Sequence, residues 1–569
     1  MAALPPGVPS KGIALVRAAD HLIRLWTMPV RRGLDVLALP VLLTVPACAA
    51  FIGAVRTHLY GHDIFTFLDG GWRVLNGQRP LLDFSPGVGP LMPLIAAAGL
   101  RLSNLSVDGI GYGTALVSLL VVLAAYAVTR SRQPWFPATL LSVLLGVLAA
   151  APFPLGETPS LLTHAMVYNR YGYALLGVVV MESFIFPSST ASWSSSLWGL
   201  FTGIITVGLF FLKPSYGLVG GVLVLVSLLL RLSERARSLG VPGGGLAAIL
   251  AVMIYLRFDF SGVWRAFRAM AAARSASFGF RIIAWAFLKG LSDFLWLLAL
   301  ALLAGWIAYA AGAGARAFVP LLLAALVYGG EALLLATNAQ LSGFPLNAVL
   351  AILFADQVCA ALPRLNDTGP VFLPRLDAIA VVAGMLCFLP VLLPDAAGLA
   401  YAAILRVRPQ SGREAATLQP THLAGLMLYD FDKGGDDDRR SNGHTLASYI
   451  NDGARLLQKF SPPTETVFNL DFTNPFSYVL LRPPPRGGIC SLDYGFQFSD
   501  RYKPPSEWLF GGADVIMVPK HPTGNVLTRE ALARLYLPQI QSQDRLCAQS
   551  DWWELYKRPS NLTGCPIGR

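Results

Sequence analysis

Residues 62–91 read HDIFTFLDGGWRVLNGQRPLLDFSPGVGPL, and they lie between two long apolar runs. Ile64, Phe67, Leu68, Trp72 and Leu75 recur at helical spacing on one stripe, with Asp63 at the start and Gly77 at the end. Such a segment predicts an amphipathic helix lying in a membrane interface. Its acids have elementary roles to weigh first. Asp63 caps the helix and favours its dipole. Asp69, four residues before Arg73, forms an i,i+4 pair on the polar side. Asp83 forms a turn ahead of Pro86 and Gly87.

Outward from this stretch the chain is apolar on both sides. Runs near 34–55, 108–129, 135–153, 171–187, 197–212, 215–232, 244–256, 290–310, 317–336, 345–362 and 376–393 approach the ~20 residues that a span needs. About eleven spans are expected, with 87–102 either a further span or an interfacial helix. Composition agrees: 54% of the 569 residues are hydrophobic and 14% charged, against roughly 25% charged in soluble proteins. Mean hydropathy is +0.55. An ordinary soluble enzyme, a disordered chain and a collagen-like fibre are thereby excluded.

The net charge of +11 is not read as a nucleic-acid surface, because the basic residues fall between apolar runs. Lys11, Arg17, Arg24, Arg31 and Arg32 precede the first span. Arg130 and Arg132, then Arg231, Arg235 and Arg237, then Arg316, Arg364 and Arg375 follow in alternate loops. The positive-inside rule places all of them, and the N-terminus, in the cytoplasm. No cleavable signal peptide is expected in residues 1–33. An odd span number puts the C-terminus outside.

From about Arg406 the sequence becomes polar and predicts a mixed α/β extracytoplasmic domain over 406–569. Helices are expected over 444–460 and 528–541, with strands at 466–470, 514–518 and 552–556. Three of the six cysteines, Cys490, Cys547 and Cys565, fall here; one bridge is expected, its pairing open. The division is then a cytoplasmic segment 1–33, a membrane domain 34–405 with a first outer loop 56–107, and the outer domain.

An acid just after the first span, an aromatic-plus-Arg helix, and a Gly77-x-x-Pro80-x-x-Asp83-Phe84 segment closing on Gly89-Pro90-Leu91 together resemble the integral-membrane C-type glycosyltransferase superfamily. The branch is that of protein O-mannosyltransferases and lipid A aminoarabinose transferases. The resemblance implies a polytopic helical transferase of the plasma (inner) membrane that takes its sugar from a polyprenyl-phosphate carrier. The position matching the family's catalytic base is Asp63. The family often carries Asp-Glu there and this chain carries Asp63-Ile64, so a second acidic role, metal ligation included, is left without its residue. A single base with direct attack implies inversion at the anomeric carbon. The acceptor is a lipid, glycan or protein.

Phosphate contact calls for cations. The loop after residue 256 carries Arg257, Arg265, Arg268, Arg274, Arg281 and Lys289 with Asp259. Arg265, Arg268 and Arg274, joined by Lys213 at another outer turn, are the candidates for the donor phosphate; contact with anionic headgroups is the plainer reading, as snorkelling is for Lys213. Asp69, Asp83, His164, Asn169 and Arg170 are candidates for substrate binding. The acidic run 430–438 begins like a calcium loop but has Ser441 at position 12. No Walker loop, zinc spacing or G-x-S-x-G is present, so no cofactor and no metal site is expected; nothing indicates a divalent cation. The competing class is a membrane transporter or lipid flippase, with Asp293, Glu331 and Asp356 as pathway charges.

Overall fold

The computed structural model describes Ile23, Trp26 and residues 33–57, 60–185, 192–274, 279–338, 340, 342–368, 375–408, 416–417, 421–423, 426–428, 446–521 and 526–566. The acidic run 430–438 lies outside them.

A helix stands at each of the eleven expected positions. These are α1 (Gly33–Ile52), α4 (Gly109–Arg130), α5 (Trp135–Ala150), α6 (Val167–Phe184), α7 (Ser192–Leu212), α8 (Pro214–Leu230), α9 (Arg235–Tyr255), α12 (Leu291–Ala310), α13 (Val319–Thr337), α14 (Pro345–Thr368) and α15 (Leu376–Val407). Eight among the described residues are long and apolar enough to cross a membrane; α5 and α8 are shorter apolar helices, and α6 is not among the eight. The 87–102 stretch folds as a helix of 12 residues, α3 (Leu91–Leu102), too short to span. The amphipathic helix α2 (Asp63–Leu75) precedes it, and α10 (Phe260–Arg274) and α11 (Phe280–Lys289) fill the loop after α9. Two helices outrun the expected runs. α9 starts at Arg235, and α15 continues through Pro390 and Pro394 to Val407.

Close packing has a visible cause in one pair. α7 carries Gly199 and Gly203, α9 carries Gly240 and Gly244, and a Cβ on any of the four would collide with a backbone carbonyl of the facing helix. This small-xxx-small spacing lets the backbones touch. Gly203→Val is expected to cost about 3 kcal/mol or more through overpacking. Gly208→Val on the same helix, where a Cβ meets nothing within 4 Å, should leave the thermal melt in detergent micelles unchanged.

The helices define two ends. At one, Arg132 after α4, Arg231 after α8 and Arg237 in α9 converge on the buried Glu182 near the end of α6. These basic residues, read as lying on one side of the membrane, are therefore in mutual contact. At the other end stand Asp63, the start of α6, the α7–α8 turn and the C-terminal region.

That region is mixed α/β. β4 (Val467–Asn469), β5 (Val515–Pro519), β6 (Arg545–Gln549) and β7 (Trp553–Lys557) form a sheet of order β4-β5-β7-β6, flanked by α16 (Leu446–Phe460) and α19 (Val526–Gln543), with short turns α17 (Phe476–Val479) and α18 (Ser506–Leu509). The expected strands do not include β6; its mostly exposed sequence, with the apolar residues Leu546, Cys547 and Ala548 consecutive, shows no alternation. The bridge is Cys547–Cys565, and Cys490 remains a buried thiol. The region is tied to the first loop by backbone pairing. β1 (Arg56–Thr57) runs parallel to β3 (Met427–Leu428), which also pairs with β2 (Ala416–Thr417), and Ser85 bridges Ile489. One buried apolar cluster runs from the helices through Ile64 and Phe67 to Tyr449, Val467 and Trp553.

Candidate functional site

Asp63 is the first residue of α2, and His62 occupies the cap position without a side-chain capping bond. The carboxylate is thus spared from capping and stands 3.2 Å from His62 Nε2, where the helix dipole favours its charge. The His62 ring packs edge-on against Phe472 at 4.4 Å, and Thr473 Oγ1 donates to the His62 carbonyl at 3.3 Å.

Asp63 opens on a cavity of about 380 Å³. One wall is α2, through Asp63, Thr66 and Phe67. A second comes from the α5–α6 connection and the start of α6, through Pro154, Glu157, Met166 and Tyr168. Asn338 and Gln340 follow α13, and the C-terminal region closes the space with Phe472, Ser491, Asp493, Phe496 and Gln497. Gln497 Nε2 donates to the Gly87 carbonyl at 3.0 Å, holding that closure against the first loop. Met166 adopts a left-handed φ of 55°, a strained conformation that sets the direction in which α6 leaves the cavity.

Behind Tyr168 lies a polar cluster. Lys213 Nζ sits 4.8 Å from the Tyr168 ring centroid. Lys213 is the extended cap residue of α8, with Pro214 at the first helical position. Gly89 allows this arrangement: its N–H donates to the Leu212 carbonyl at 3.0 Å, and a side chain there would collide with the end of α7. Tyr216 Oη donates to Asn169 O at 3.2 Å and receives a hydrogen bond from Asn338 Nδ2 at 3.0 Å.

The sequence candidates therefore divide. Asp63 lines the cavity, and Lys213 and Asn169 stand behind its wall residue Tyr168. Asp69 does not reach it. Asp69 and Arg73 form the expected i,i+4 pair at 2.8 Å, but fully buried. Arg73 Nη1 donates to the carbonyls of Pro485 and Gly487, and Trp72 Nε1 to that of Arg482. This face of α2 meets the C-terminal region instead of water. Burial pushes the Asp69 carboxyl up and Arg73 pulls it back, while burial, reinforced by the Asp69 carboxylate, drives the neighbouring Cys490 thiol well up. Asp83 is a turn residue whose carboxylate accepts the Arg79 N–H at 2.7 Å. Arg170 is buried against Asp395 at 2.9 Å.

His164 is also away from the cavity. Its Nε2 accepts the Val55 N–H at 3.1 Å, and burial pushes the imidazole down to about 4. The native state then binds fewer protons than the unfolded state between pH 4 and 6.5. Stability present above about pH 6.5 is lost as pH falls toward 4, by about 3 kcal/mol at most. Denaturant titrations at pH 7.5 and 5 should show that slope in the native sequence and lose it in His164→Gln.

Arg265 and Arg268 are exposed on α10 and do not line the cavity; the side chain of Arg274 lies outside the described residues. Of the charges that a transporter would use, Glu331 and Asp356 have structural partners. Glu331 Oε1 accepts the Leu346 N–H at 2.7 Å, and Asp356 accepts from Trp26 Nε1 and Gln133 Nε2. Asp293 stands in the first turn of α12. Among the described residues no group of three His, Cys, Asp or Glu side chains could hold a metal ion. His62, Tyr168, Asn338 and Asp493 were not singled out from the sequence. His62 adjoins Asp63 and was within reach; the others come together only through the fold.

No protein-family model matches the chain, and no curated protein matches it. Two solved structures do, both crystal structures of ArnT from Cupriavidus metallidurans. The one bound to undecaprenyl phosphate aligns over 94% of this chain and 100% of its own, with 14% identity and a TM-score of 0.43. The apo form aligns over 94% and 99%, with 15% identity and a TM-score of 0.35.

Proposed function

We propose that the protein is a membrane glycosyltransferase that moves a sugar from a polyprenyl-phosphate carrier to an acceptor hydroxyl at the outer face of the plasma membrane. The observation that supports this best is the position of Asp63. It is a carboxylate on an interfacial helix, not used as a cap, opening on a cavity bounded on one side by membrane helices and on the other by the C-terminal region. In this reading eleven helices span, and the C-terminal region is extracytoplasmic. The acceptor is a lipid, glycan or protein, and membrane lipids surround the helices.

In the proposed reaction Asp63 takes the acceptor's hydroxyl proton as the oxygen attacks the anomeric carbon. The bond from that carbon to the phosphate oxygen breaks, and the polyprenyl phosphate leaves with the electron pair. Direct displacement inverts the anomeric centre. Lys213 meets the leaving phosphate's charge, and His62 orients the Asp63 carboxylate.

Two substitutions separate the sources of cation. Lys213→Gln is expected to lower kcat/KM for the donor by about 100-fold, the loss of one charge-assisted contact in a dry site. Arg265→Gln with Arg268→Gln should alter the donor KM by less than about 3-fold, as befits exposed charges in contact with headgroups. Equal losses would return the phosphate to α10. The base assignment is tested by Asp63→Asn with a labelled polyprenyl-phosphate sugar.

A further inference from the structure

Beside the Asp63 cavity lies a second chamber of about 200 Å³, with Glu157 in the lining of both. Its walls include Phe153, Leu155, Phe344, Pro345, Pro390 and Val391, and its other polar residues are Arg170 and Asp395. Arg170 is 1% and Asp395 5% exposed. The pair is held firmly. Arg170 Nη1 meets Asp395 Oδ1 at 2.9 Å and the Leu148 carbonyl at 3.2 Å, Nε donates to the Phe153 carbonyl, and the guanidinium lies 4.3 Å from the Phe153 ring centroid. Yet Arg170 Nη2 and Asp395 Oδ2 are buried with no partner among the described residues. A buried donor and a buried acceptor left open on the two members of one ion pair are costly unless something completes them.

The chemistry of the completing group is constrained. It must accept from a guanidinium and donate to a carboxylate, and a hydroxyl does both. With one cation against two carboxylates, Asp395 and Glu157, the chamber disfavours a phosphate. Apolar and aromatic walls around a few fixed polar groups suit the faces of a sugar ring. The place in the fold agrees. Asp395 lies roughly 29 Å along α15 from Leu376 at 1.5 Å per residue, about one hydrocarbon thickness from that helix's start.

We infer that this chamber binds a sugar ring, and that the ring belongs to the acceptor, whose reacting hydroxyl extends past Glu157 to Asp63. The assignment to the acceptor rests on the transferase reading; sugar binding itself does not. Saturation-transfer difference NMR of the full chain in nanodiscs, with a mixture of neutral methyl glycosides as the probe, reads the binding directly. Val391→Trp fills the chamber and keeps both charges of the ion pair, and Asp395→Asn removes a charge but little volume. The wild-type signal is expected to fall by at least about half in Val391→Trp, whatever the folding yield of Asp395→Asn. A wild type without signal, which would leave the chamber to about seven waters at ~30 Å³ each, overturns the proposal. So does an undiminished signal in Val391→Trp, or a signal sensitive to that substitution obtained with methyl phosphate. In the transfer assay Val391→Trp should raise the acceptor KM about 10-fold while leaving the donor KM and donor hydrolysis by water unchanged. Should the wild type neither transfer nor hydrolyse, the transferase reading fails, and the NMR comparison still decides the chamber.

Discussion

Asp63→Asn is expected to reduce sugar transfer by about 1000-fold, within the range that a positioned general base contributes. Asparagine keeps the shape of the side chain and cannot take the acceptor's proton. The protein should remain folded. The Asp63 carboxylate is partly exposed, it makes no capping bond, and its ion-pair partner is the adjacent His62, so its loss removes little stability. Donor binding should also persist, because the cation near the cavity is Lys213, not a group paired with Asp63. The measurement is single-turnover transfer at saturating donor beside a thermal melt of the same preparation. A variant that melts like the wild type and transfers nothing places Asp63 in the chemistry. Activity within about 10-fold of wild type would remove it from that role.

The apolar periodicity made α2 legible, and with it Asp63, the Asp69–Arg73 pair and the helices on either side. What periodicity did not reveal is the second face of that helix. A 3.6-residue repeat marks one apolar stripe; it carries no information that Pro485 and Gly487, some 410 positions on, would cover Arg73 with their carbonyls. An amphipathic helix resting on a membrane therefore became one packed on both sides. The same limit applies to Arg170, whose partner Asp395 is 225 residues away, and to His164, which reads as a functional residue until the Val55 amide beside it is known. Charge density singled out α10, whose Arg265 and Arg268 do not line the cavity, since a cluster of arginines indicates contact with an anion but not which one. The GxxxG pairs of α7 and α9 were present in the sequence and were missed because each helix reads as uniformly apolar without a partner.

The largest stability effect is expected at the end of the bundle away from Asp63. Glu182 is fully buried near the end of α6. Arg237 grips both of its oxygens at 2.9 and 2.6 Å, Arg132 lies at 3.3 Å and Arg231 at 3.9 Å, and Thr202 Oγ1 donates at 2.9 Å. Arg132 and Arg231 also donate to the carbonyls of Glu182 and Ser183, so cations crown the negative end of α6. Glu182→Gln keeps the volume and removes the one charge common to all three; Glu234 compensates only Arg231. Breaking a buried pair by deleting one partner typically costs about 3–5 kcal/mol, and here three cations lose it together. The variant should unfold at markedly lower denaturant or temperature while its folded fraction keeps wild-type kcat/KM, since no group at the Asp63 cavity is altered. Arg237→Gln in the same chain should restore part of the loss, because it withdraws the most tightly bound of the stranded charges, and the double-mutant cycle measures that coupling. Additive losses would show that the charges do not act as a unit.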